Sequence, residues 1–162
     1  MSGLTRRTAL GACGLLLSAA AEAPPTDPAR RWRDGQAAHL AWNRRRPGWR
    51  ATASGLQYRR LGRAAPSAPH PTSSDRVQVR YELRLINGDL VRSSFPPADP
   101  SWINLGRAIP GWREALPMMR VGETWTFLLP SALAYGPRRF LTIPEDSALA
   151  FRVLLLAIAP PP

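Results

Sequence analysis

The sequence predicts an α+β fold: an antiparallel β-sheet with one short helix lying on it, preceded by a basic N-terminal arm. Two observations lead there. Beyond residue 75, stretches that alternate apolar and polar residues outnumber stretches with helical spacing. Such alternation marks strands with one face buried and the other in water. The 18 prolines also oppose long helices, because an internal proline removes a backbone donor. A chain of 162 residues holds one ordinary domain with extensions.

The chain opens with "MSGLTRRTALGACGLLLSAAA". A basic start, an apolar run from Ala9 to Leu17 and small residues at Ala19–Ala21 are the layout of an export signal over residues 1–21. The Arg6-Arg7 pair ahead of the run fits the twin-arginine type. The run is too short to cross a membrane as a helix. Cys13 is the one cysteine, so cleavage of the leader leaves neither a disulfide nor thiol chemistry. His39 and His70 lack partners at ligand spacing, and no metal or cofactor is expected.

Residues 22–54 form a basic arm. Ten of the 22 basic residues, all arginine, fall between Thr26 and Arg63 against only Asp27 and Asp34. From Ser74 onward ten arginines face eight acids, so the excess charge belongs to the arm. Weak contact with an anionic membrane surface is the expected use of such an arm. No zinc-finger spacing or phosphate loop accompanies the charge, and nucleic acid is not an expected partner. A helix is expected over Ala29–Arg46, anchored by Trp32, Leu40 and Trp42. "SGLQYRRL" at Ser54–Leu61 predicts a strand, and "GRAAPSAPHPTSSD" at Gly62–Asp75 reads as linker.

The main domain is predicted over residues 76–159. In "RVQVRYELRLINGD", Val77, Val79, Tyr81, Leu83 and Leu85 share one face. Asn87-Gly88 then predicts a two-residue hairpin. Leu90–Ser94 returns, and Trp102–Leu105, Trp125–Leu129 and Ala148–Ile158 supply further strands. Between them lies "IPGWREALPMMRVGETW". Pro110 suits the first helical position, Trp112, Ala115 and Leu116 share one side, and Pro117 stops the helix. A helix this short does not stand alone in water. It must rest on the sheet, with Trp112 fixed by that contact.

The run "VQVRYEL…NGDLVRSSF…INLGRAIPGWREALPMMRVGETWTFLLPSALAYG…IPEDSALAFRVLLL" resembles FKBP-type peptidyl-prolyl cis-trans isomerases. "ATASGLQYRRL" at Ala51–Leu61 is similar to the segment ahead of this domain in secreted bacterial, Mip-like members. The resemblance implies a curved sheet wrapped around the short helix and a pocket between them. It implies catalytic roles for Tyr81, Ile109, Trp112, Tyr135 and Phe151, with Trp112 as floor. Val91, Arg92, Ala108 and Ile143 would contact substrate. It further implies a periplasmic protein that assists folding of proline-containing clients, a pocket open to a macrolide, and, without the family's dimerising helix, a monomer. The sequence departs at Val91-Arg92, where the family has Phe-Asp, and at Glu145, where it has proline. The reversed charge at 92 keeps a second reading open, a weakly active or inactive proline-binding, chaperone-like module.

Overall fold

The computed structural model describes residues 27–96 and 98–159. The expected export signal over 1–21 lies outside them. Helix α1 (Pro28–Arg44) starts where Asp27 accepts the Ala29 N–H and Pro28 takes the first helical position. Strands β1 (Arg50–Ala51), β2 (Gln57–Arg60), β3 (Arg76–Leu85), β4 (Leu90–Ser93) and β5 (Ser101–Asn104) follow. Then come α2 (Pro110–Ala115), β6 (Thr124–Leu129) and β7 (Leu149–Ala159). All pairings are antiparallel, in the order β1-β2-β6-β7-β3-β4, with β5 also on β3. The expected α+β class is the one observed.

The alternation in β3 sends Val77, Val79, Leu83 and Leu85 into the core. Trp125, Phe127 and Leu129 from β6 join them, with Leu149, Phe151, Val153 and Leu155 from β7. The helix α2 closes this layer with Trp112 and Ala115, and Leu116 and Met119 follow in the turn after it. Gly111 marks a close approach of helix and sheet. A Cβ there would lie 2.6 Å from a Leu129 methyl and 3.0 Å from the Leu133 carbonyl oxygen. Overpacking at such a site costs about 1–3 kcal/mol. Gly111→Ala is therefore expected to lower stability by that amount, and an unchanged urea midpoint would contradict the packing.

Three expectations need correction. First, α1 is not held by an apolar stripe: Trp42 is 56% exposed, while Gln36 and Asn43 are buried. Gln36 Oε1 accepts the Ala148 N–H at 2.9 Å, Asn43 Nδ2 donates to Gln57 Oε1 at 2.9 Å, and Gln57 Nε2 donates to the Leu40 carbonyl. Trp32 Nε1 donates to the Glu145 carbonyl. Amides fit here because Gln36 satisfies a loop N–H and Gln57 satisfies a carbonyl of α1, and backbone groups taken out of water need partners. Second, residues 62–75 are not a free spacer. The Val121 N–H and the Arg120 guanidinium both donate to their carbonyls, at Pro69 and Ala68, and Pro71 is buried.

Third, the β3–β4 connection is longer than a two-residue hairpin. The Gly88 N–H donates to the Leu85 carbonyl, and the Leu85 N–H donates to the Asp89 carbonyl, each at 3.0 Å. Gly88, with φ of 97°, follows the two central turn residues instead of being one of them. A turn extended by a left-handed glycine uses the same Asn-Gly pair one position later. Past it, Leu83 faces Arg92 but Arg84 faces Leu90, so Val91 is an extra residue, a β-bulge.

Candidate active site

The two edges of the cavity follow from this bulge and from the pairing of β5 with β3. At Tyr81 the β3 edge passes from β4 to β5, and Ser94 bridges the change. Its N–H donates to the Tyr81 carbonyl, and its hydroxyl accepts the Tyr81 N–H, each at 2.8 Å. Beside this edge, between sheet and α2, lies a cavity of about 880 Å³.

Every site residue expected from the sequence lines that cavity: Tyr81, Val91, Arg92, Ala108, Ile109, Trp112, Tyr135, Ile143 and Phe151. Three rings form its floor. Trp112 stands edge-to-face with Tyr81 (5.3 Å between centroids, 89°) and with Phe151 (5.4 Å, 78°). Such pairs contribute roughly 0.5–1.5 kcal/mol beyond the area they bury. Trp112 is 5% exposed, and its Nε1–H has no acceptor among the described residues. The indole is thus fixed by packing.

Two donors accompany the rings. Ile109 precedes α2 as its N-cap, and among the described residues no acceptor takes its N–H. Tyr135 stacks flat on Phe140 (4.1 Å, 7°). Burial pushes the Tyr135 hydroxyl above its ordinary pKa, the neighbouring Tyr81 adds to this, and the Arg92 charge opposes it. It therefore remains a proton donor at neutral pH.

The lining also holds Leu83, Trp102, Ile103, Asn104, Arg107, Phe140, Leu141 and Thr142. Of these, Phe140 and Leu141 had a legible signal: two large apolar residues in a loop after Arg138-Arg139. Leu141 is 77% exposed with φ of 51°, in a tight turn closed by paired Phe140 and Ile143 hydrogen bonds. Arg92 is exposed and makes no salt bridge among the described residues.

An aromatic-floored cleft between a short helix and an antiparallel sheet, with hydrogen-bond donors beside it, defines a prolyl-isomerase-like domain. The chain belongs to the FKBP-type peptidyl-prolyl cis-trans isomerase family, whose profile matches residues 68–156. It is 40% identical over 121 residues to the FKBP-type 22 kDa peptidyl-prolyl cis-trans isomerase of Escherichia coli, covering 74% of this chain and 58% of that one. It is 36% identical over 122 residues to the Outer membrane protein MIP of Legionella longbeachae, covering 75% of this chain and 52% of that one. A crystal structure of a peptidyl-prolyl cis-trans isomerase from Pseudomonas syringae superposes with a TM-score of 0.75 at 28% identity, covering 84% of this chain and 99% of that one. The chain spans about half the length of the curated relatives it matches.

Proposed function

We propose that this protein catalyses rotation about X–Pro peptide bonds in exported polypeptides and so assists their folding in the periplasm. The observation that carries the reading is the Tyr81–Trp112–Phe151 floor beneath an otherwise open cavity. Amide resonance sets a rotation barrier of roughly 18–20 kcal/mol. The resonance form is dipolar and favoured by water. A proline ring on the Trp112 indole leaves its amide in a dry aromatic setting, where the twisted form, with resonance lost, is disfavoured less. Donors that fit the twisted geometry better than the planar one lower the barrier further. The Ile109 N–H and the Tyr135 hydroxyl are the donors proposed for the substrate carbonyls. No covalent bond is broken, so no nucleophile or acid–base pair is needed.

The same pocket is proposed to admit a macrolide in competition with peptide. Periplasmic residence rests on the leader-like first 21 residues and on the name of the Legionella relative. A monomer is proposed because α1 spends its buried amides on its own domain. Arg31, Arg44, Arg45 and Arg46 are exposed and outside the salt bridges among the described residues, which suits weak contact with an anionic membrane. The direct test is a protein whose refolding is limited by proline isomerisation, a phase of tens to hundreds of seconds. That phase is expected to quicken in proportion to the amount of this protein added. An unaltered phase would reject the isomerase reading in favour of a module that only binds proline segments.

A further inference from the structure

We propose that this cavity selects proline segments with a carboxylate side chain next to the proline, read by Arg92 and Arg107. The proposal rests on the isomerase reading of the same cavity. Among the described residues, its lining holds these two arginines and no aspartate or glutamate. They come from separate segments, Arg92 from β4 and Arg107 from the 3₁₀ turn Leu105–Arg107 that directly follows β5. Both are exposed, and the salt bridges among the described residues use Arg30, Arg33 and Arg84 instead. Neither guanidinium is thus spent on a carboxylate among the described residues.

Geometry turns this charge toward the substrate. The bulge at Val91 brings both Val91 and Arg92 to the cavity. Arg92 and Tyr135 line the same cavity, so the guanidinium shares it with the hydroxyl proposed to donate to a substrate carbonyl. A charge beside a partly desolvated apolar wall acts through a lower effective dielectric than bulk water. A guanidinium also offers two parallel donors that match a carboxylate. Arg138 and Arg139, exposed in the loop leading to Phe140, extend the positive rim and repel a lysine at the same position.

The test uses the full chain and short peptides in which the residue before proline is Glu, Gln, Leu or Lys. Isomerisation rates and calorimetric affinities are measured for each. Gln is the control, since it matches Glu in shape without the charge. With two exposed ion pairs of ordinary strength, Glu is expected to exceed Gln by about threefold to tenfold at low ionic strength. The preference should shrink toward unity at about 1 M salt, where the screening length falls to about 3 Å. Replacing both arginines with Gln (R92Q with R107Q) should abolish the Glu-over-Gln ratio. Equal or better handling of Gln at low salt overturns the proposal, as does a Glu preference that survives the double replacement. If no peptide is isomerised, the isomerase reading fails, and the Glu-to-Gln ratio of affinities still decides the selectivity.

Discussion

Replacing Trp112 with alanine is expected to remove most proline-peptide affinity and about 3–5 kcal/mol of stability, the usual cost of truncating a buried Trp. The ring is both floor and core. It touches Tyr81 and Phe151 edge-on and is 5% exposed, so truncation leaves a void the neighbours fill only in part. Urea unfolding and peptide calorimetry on the same sample read the two effects. Trp112→Phe keeps a ring and removes an Nε1–H that has no acceptor among the described residues. It should recover much of the stability, and it stands in if the alanine variant fails to fold. An alanine variant with natural stability and natural affinity would take Trp112 out of the site.

Changing Val91-Arg92 to Phe-Asp is expected to raise the isomerisation rate by roughly fivefold. One net hydrogen bond contributes about 1 kcal/mol, and each 1.36 kcal/mol removed from a barrier is tenfold in rate. Arginine only donates. An aspartate at 92 replaces that donor with an acceptor in the lining of the cavity. A phenylalanine at 91 adds an aromatic wall to a half-buried position. The same change removes one of the two cations proposed to read acidic substrates, so the Glu preference should fall as the rate for Leu-Pro peptides rises. A double variant no faster than the natural protein would show that this departure does not limit turnover.

Much of this was legible in the chain itself. The β3 alternation, the proline at the start of α2 and the Trp112–Leu116 spacing each express a local rule, and each element formed within a few residues of its predicted limits. The pocket residues were found through their order along a family pattern. No local rule assigns Tyr81, Tyr135 and Phe151 to one cavity, since they meet only when β3, β7 and the loop after β6 come together.

Other features depended on partners far along the chain. The α1 anchors are Gln36 and Asn43, whose partners Ala148 and Gln57 lie 112 and 14 residues away. Apolar periodicity cannot see an amide that is buried because it is satisfied. The placement of Arg92 at the cavity was decided in the same way. Strict alternation places Val91 and Arg92 on opposite faces, one in and one out. The bulge against β3 brings both to the cavity, and a bulge is fixed by the register of two paired strands, not by the four residues of one. The sequence by itself determined the strands, the short helix and the chemical types in the pocket, because these follow from side-chain period and backbone restriction. Only the tertiary structure decided which way the arginine at the rim points, because register is a property of the pair.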